Sequence, residues 1–188
     1  MLITNINRIS VNARYLAVAY SGLKKEQLKG ALKNMSSTGI ILYGRDQHVV
    51  CSIYEKLLDI TKSSSDSSSF RNLSSVALTD TTCLAADKDA RCIYEIDLAT
   101  STLMRTLTLD GQPVSVSVNR QLVACADALN SLVYLFDRAS LAMVGRSQAP
   151  IKSGVEQVLL SDDNLVFVRG GANESGGQVS LLDGSLEN

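Results

Sequence analysis

The 188-residue chain is poor in the groups from which most catalytic and metal sites are built. It has one histidine, His48, and although cysteines are present at 51, 83, 92 and 125, no Cys-x-x-Cys occurs. A tetrahedral zinc site has no ligand set here, so no metal is expected. There is no Gly-x-Ser-x-Gly, the strand-to-helix elbow that exposes a hydrolase nucleophile. His48 has no Ser/Asp arrangement near it that suggests a triad and reads as a loop or strand-edge histidine. The formal net charge of −1 gives no global attraction to nucleic acid or anionic lipid, so no nucleic-acid partner is expected. No apolar run approaches the roughly 18 residues of a membrane span. Met1-Leu2-Ile3-Thr4 begins a strand-like segment without the basic and long apolar regions of a secretory signal.

Three stretches superficially resemble sites. Gly170, Gly171, Gly176 and Gly177 form a glycine-rich stretch, but a phosphate cradle also needs a Lys-Ser/Thr ending or a strand-to-helix context. A wide hairpin between two strands accounts for them. Arg169-Gly170-Gly171 is a single copy of a triplet that RNA-binding segments repeat. Asp162-Asp163 reads as a turn pair with no second feature to make it a catalytic pair. No nucleophile, base or metal set converges, so neither catalysis nor a cofactor is expected.

What is present is a core. Apolar residues make up 45% of the chain, enough for one globular domain. All four cysteines lie in apolar strand patterns and read as reduced, buried core residues of a cytosolic protein. Cys83 and Cys92 flank one turn, where they could face each other.

The stretch from Val114 to Asp137 organises the rest. Val114, Val116 and Val118 alternate with serines, the period-two pattern of a half-buried strand. Asn119, Arg120 and Gln121 form a polar turn, Leu122–Cys125 a second strand, Asp127–Ser131 another turn, and Leu132–Phe136 a third strand closed by Asp137. A three-stranded meander needs further copies packed face to face, and the copies exist. Ile93-Tyr94-Glu95-Ile96-Asp97 and Val179-Ser180-Leu181-Leu182-Asp183 both match Val133-Tyr134-Leu135-Phe136-Asp137. A period of roughly 40–45 residues with about four strands per unit marks the blades of an all-β, WD-repeat-like β-propeller. The Trp-Asp ending of that repeat class is replaced by Ile-Asp, Phe-Asp and Leu-Asp.

About four blades are expected. The first spans residues 3–54, with strands at Ile6–Val11, Tyr15–Tyr20, Gly39–Tyr43 and Val49–Tyr54, interrupted by an insertion at 21–38. In that insertion Leu28, Leu32 and Met35 share a helical face ringed by Lys24, Lys25, Lys29 and Lys33. Such a segment fits a solvated excursion and leaves a membrane-surface contact open. Residues 61–69 are serine-rich and expected to be a loop. Blade two covers 73–107, blade three 114–144, and blade four 155–188. Only six residues follow Leu182, so the last blade is expected to lack its final strand, and the whole to be an incomplete propeller.

At Ser117-Val118-Asn119-Arg120-Gln121-Leu122-Val123 the chain resembles the PROPPIN family of phosphoinositide-binding autophagy propellers. Their third blade runs strand, Asn-Arg with a basic or Gln residue, apolar strand, then an Ile-Tyr-x-x-Asp-type strand. Here that order is Val114–Val118, Asn119-Arg120-Gln121, Leu122–Ala124 and Val133–Asp137. The fourth blade is similar through Leu165–Val168, Arg169-Gly170-Gly171 and Gly177-Gln178-Val179-Ser180-Leu181-Leu182-Asp183. The resemblance covers most of residues 73–188. It implies a non-catalytic adaptor in autophagy or vesicle trafficking, cytoplasmic and peripheral on endosomal or autophagic membranes. It also implies protein partners and a phosphoinositide membrane contact. The family's Phe-Arg-Arg-Gly lipid motif does not occur here, so no residue is assigned to lipid.

Asn119, Arg120 and Gln121 are the candidate partner-binding residues, with Arg120 offering a charge-assisted hydrogen bond to an acidic side chain. The other readings are a generic WD-repeat scaffold of another complex, or a propeller subunit that supports an enzyme. An incomplete propeller exposes the apolar faces of its end blades. The chain is therefore expected to self-associate or to need a partner or further blades for closure.

Overall fold

The computed structural model describes residues 5–21, 38–44, 70–147, 154–170, 179–182 and 186–187. The expected strand Val49–Tyr54, most of the lysine-rich insertion, the serine-rich loop, His48 and Cys51 lie outside the described residues. Every described element is a strand, in four antiparallel sheets. The first sheet is β1 (Asn5–Val11), β2 (Tyr15–Ser21) and β3 (Thr38–Gly44). The second is β4 (Leu73–Leu78), β5 (Thr82–Asp87), β6 (Cys92–Asp97) and β7 (Leu103–Thr108). The third begins with β8 (Pro113–Val118), β9 (Leu122–Asp127), β10 (Leu132–Asp137) and β11 (Met143–Ser147). The fourth is β12 (Gln157–Leu160), β13 (Val166–Arg169) and β14 (Val179–Leu182). The two-residue β15 (Leu186–Glu187) pairs with the outer edge of β11, not with β14, so the third sheet runs β15-β11-β10-β9-β8.

The chain divides into two compact units, residues 1–106 and 107–188. In the first unit Ala17, Ala19, Ile40 and Leu42 pack in one cluster with Leu73, Val76, Ala85, Tyr94 and Ile96 of the second sheet. Phe70 meets Tyr94 edge-on, with ring centroids 5.6 Å apart. In the second unit Ala124, Ala126, Val133 and Leu135 pack against Val155, Val158, Val166 and Val168.

Serines and asparagines bolt sheet to sheet. Ser115 is 1% exposed, and its Oγ accepts the Val158 N–H at 3.2 Å. Ser117 Oγ accepts the Leu160 N–H at 3.0 Å. The first unit repeats the device: Ser10 Oγ accepts the Leu78 N–H at 3.0 Å, and Asn7 Nδ2 donates to the Leu73 carbonyl. A strand covered on both faces must satisfy any polar side chain it buries, and the first strand of the next sheet supplies the partner.

Strand ends recur at an offset of 40 residues because aspartates tie them. Asp87 and Asp127 are fully buried. Asp87 accepts N–H bonds from Arg71, Asn72 and Ala90 at 2.7–3.0 Å. Asp127 accepts from the Gln112 and Leu129 N–H groups at 2.7 and 2.9 Å and from Asn130 Nδ2 at 2.6 Å. Asp97 takes the Thr100 N–H and hydroxyl, and Asp137 takes those of Ser140. The N–H and hydroxyl of Thr100 hold the Asp97 carboxyl below its usual range. Left-handed residues close these turns at matching places, Arg91 and Ser131 at φ 54° and 55°, Ser101 and Leu141 at 61° and 57°.

Cys83 and Cys92 do not face each other. The β5–β6 register sets Cys83 opposite Ile96 and Cys92 opposite Asp87, the two ends of the hairpin. Both are buried and free, as is Cys125. Burial raises all three thiols, that of Cys83 to about 12.

Candidate functional site

The candidate residues fill the turn between β8 and β9. The Asn119 N–H bonds the Leu122 carbonyl at 3.0 Å, closing the turn. Asn119 Oδ1 accepts the N–H groups of Gln121 and Leu122 at 2.9 and 2.8 Å, so the side chain mimics a further turn of backbone. Its amide nitrogen crosses to the fourth sheet and donates at 2.7 Å to both the Ser161 carbonyl and Asn164 Oδ1. Asn164 sits in the β12–β13 turn with φ 63°, a conformation asparagine tolerates. Asn164 Nδ2 in turn donates to Gln121 Oε1 at 2.8 Å.

Asn119, Asn164 and Gln121 therefore form a chain of amides joining two turns. Every donor and acceptor of Asn119 used here serves the turn or the bridge. The Gln121 carbonyl also accepts the Arg138 N–H at 2.8 Å, which ties the β10–β11 loop to the same end of the third sheet. The first unit has the same bolt: Asn12 Oδ1 accepts the Arg14 and Tyr15 N–H groups, and Asn12 Nδ2 donates to the Thr79 carbonyl at 2.6 Å.

Between the two turns of the second unit lies a shallow depression of about 270 Å³ lined by Asn119, Arg120, Gln121 and Asp162. Arg120 is exposed and makes no hydrogen bond or ion pair with any described residue. The structure brings Asn119 and Gln121 into one network and turns Arg120 outward beside them. In the sequence Asp162 reads only as half of a turn pair, and neither Ser161 nor Asn164 stands out. The signal was present in part: Asn119 and Asn164 each sit in a short polar stretch between two apolar strands. Nothing in the sequence says that two turns about 45 residues apart share hydrogen bonds.

The arrangement is a rigid, polar, solvent-facing rim. No group of three or more metal-capable side chains occurs among the described residues.

No protein-family model matches the chain. No curated protein matches its sequence. Solved structures do. A hydrazine synthase chain of Kuenenia stuttgartiensis is similar at TM-score 0.62 and 10% identity, over 97% of this chain and 47% of that one. A chain of a mitotic checkpoint complex is similar at TM-score 0.62 and 15% identity, over 93% of this chain and 47% of that one. The computationally designed Ika4 protein is similar at TM-score 0.59 and 11% identity, over 95% of this chain and 90% of its own. This chain spans about half the length of the first two. At such identities the likeness speaks to fold alone, and the fold class is an all-β, β-propeller-like architecture of successive antiparallel sheets.

Proposed function

We propose that this chain is a non-catalytic β-propeller adaptor that binds a protein partner at the turn end of its third and fourth sheets. The carrying observation is Arg120. The turn that bears it is pinned by Asn119 and by the Arg138 N–H, while its own guanidinium is exposed and unpaired among the described residues. A fixed backbone with an unengaged guanidinium suits a charge-assisted bond to an acidic partner side chain, because little loop ordering remains to oppose binding. A fold relative belonging to a mitotic checkpoint complex supports a protein as the ligand class.

The more specific form of the proposal is a PROPPIN-like adaptor in autophagy or vesicle trafficking, cytoplasmic and peripheral on endosomal or autophagic membranes. It rests on the Asn119-Arg120-Gln121 turn and the strand order around it. Phosphoinositide recruitment belongs to that form at family level, with no residue of this chain assigned to it.

The test compares the proteins retained by the full chain with those retained by Arg120→Glu, by quantitative mass spectrometry, with far-UV circular dichroism as the control for folding. A partner held by the wild type and lost from the folded variant is expected. An unchanged set of partners would overturn the assignment of Arg120. Flotation with phosphoinositide-containing vesicles tests the membrane part, and its absence would remove the trafficking form while leaving the scaffold.

A further inference from the structure

We infer that the Arg120 depression reads a charge-paired protein segment, an acidic and a basic residue side by side, and is not a site for a polyanion. The inference rests on the reading of this end as a protein-binding face and adds the second half of the ligand. Two charges of opposite sign line the depression, Arg120 and Asp162. Both are exposed, and neither has a hydrogen bond or ion pair with a described residue.

The amide chain sets the polarity of the rim between them. Asn119 donates to Asn164 Oδ1, and Asn164 donates to Gln121 Oε1. That leaves Gln121 Nε2 as the unengaged donor at the end of the series, next in sequence to Arg120. The lining therefore holds a guanidinium and an amide N–H for an acceptor, from Arg120 and Gln121, and a carboxylate for a donor, from Asp162. A carboxylate on the ligand suits the first pair and an ammonium or guanidinium the second group. A phosphate-dense ligand gains Arg120 but meets Asp162 with like charge in the same depression, which costs specificity directly.

The first unit supplies a contrast. In the corresponding turns Ala13 stands at the place of Arg120, Arg14 at that of Gln121 and Asp80 at that of Asp162, with Asn12 bridging to the Thr79 carbonyl. Asp80 is followed there by Thr81 and Thr82, so the turn has no counterpart of Asn164 to carry an amide series back to the arginine side. Among the described residues, an amide series that ends beside an arginine occurs in the second unit and not in the first.

The probes are four blocked tetrapeptides of the form Gly-X-Y-Gly, with X-Y as Glu-Lys, Glu-Gln, Gln-Lys and Gln-Gln. They are titrated against the full ¹⁵N-labelled chain, and the side-chain amide signals of Asn119, Gln121 and Asn164 are followed by NMR. Each charge is expected to tighten binding by about two- to fivefold, the range of one exposed ion pair. Asp162→Asn is expected to make Glu-Lys and Glu-Gln equivalent, and Arg120→Gln to make Glu-Lys and Gln-Lys equivalent. Both substitutions are in an exposed turn, and far-UV circular dichroism verifies that the fold is retained. If wild type binds Glu-Lys no better than Glu-Gln, or Asp162→Asn tightens Glu-Lys binding, the charge-pair inference is overturned while Arg120 stands. If Glu-Gln binds no better than Gln-Gln, the Arg120 reading itself falls. Phosphatidylcholine vesicles carrying phosphatidylinositol monophosphate are expected to show no Arg120-dependent binding. Arg120-dependent vesicle binding, strengthened by Asp162→Asn, would make the depression a phosphate site and overturn the inference.

Discussion

Replacing Gly111 with alanine should be costly only while Asp127 is present. A Cβ on Gly111 would lie 1.9 Å from Asp127 Oδ2 and 2.2 Å from its Cγ. The carboxylate has little freedom to retreat, since it is fully buried and accepts from the Gln112 N–H, the Leu129 N–H and Asn130 Nδ2. Bonds to a charged acceptor contribute roughly 1.5–3 kcal/mol each, less where the freed donors can reach water. Asp127→Ala should therefore cost about 3–5 kcal/mol, a large share of a typical net stability of about 5–15 kcal/mol. Gly111→Ala, by displacing the carboxylate, should cost about 2–4 kcal/mol. In the Asp127→Ala background the clash has nothing to act on, so the double variant should match the single Asp127 variant. The coupling energy is then about −2 to −4 kcal/mol, far outside the additivity expected of independent sites. Urea unfolding followed by far-UV circular dichroism measures all four corners of the cycle. Simple additivity refutes the reasoning. It would mean that the loop can adopt the arrangement seen around Asp87, where Arg71 takes the matching position and its own N–H reaches the carboxylate.

The buried Glu95 carboxylate is held by Arg105, whose Nε donates at 2.7 Å. Arg105→Ala should cost about 2–3 kcal/mol in urea unfolding, below the full penalty of a deeply buried pair because the arginine side chain is 35% exposed. Asn119→Ala removes the turn mimic and the bridge to the fourth sheet and should cost about 1–3 kcal/mol, with Asn12→Ala in the same range. The Cys83 thiol is raised by burial from its ordinary 9.0 to about 12. Its protonated folded form adds stability that is complete below pH 9 and lost as pH rises from 9 toward 12, so the urea midpoint should fall across that window and fall less in Cys83→Ala. Ile6, Ile9 and Val11 are more than half exposed on β1, at 57, 52 and 62%. Light scattering should show concentration-dependent association that Ile9→Lys reduces, and an unchanged association would clear that strand.

Much of the fold was legible because its signals are local. The residues Asp97 and Asp137 that mark the repeat are those whose carboxylates cap the following turn through Thr100 and Ser140, so sequence register and hydrogen-bond register coincide. In the third sheet the apolar runs stop short of the strand ends, which are aspartates. Leu122–Cys125 extends in fact to Asp127, because a carboxylate satisfied by three donors can stay buried at the end of a ladder. The serines of β8 carry a related ambiguity. Alternation with valine looks the same whether the polar face meets water or meets a neighbouring sheet that offers Val158 and Leu160 N–H groups. Only the partner distinguishes the two cases, and it lies 43 residues away.

The candidate site shows where such reading stops. Asparagine in a polar turn announces its own backbone bonds, and Asn119 makes them. Its free amide nitrogen could have faced water or a partner and instead binds Ser161 and Asn164 across the sheets. The three residues of one turn thus divide their work. Asn119 holds the sheets together, Gln121 ends an amide series, and Arg120 alone points its charge outward. A loss of partner binding on replacing Asn119 would therefore report a moved turn as readily as a lost contact. A loss on replacing Arg120, which makes no hydrogen bond or ion pair with a described residue, isolates the contact itself.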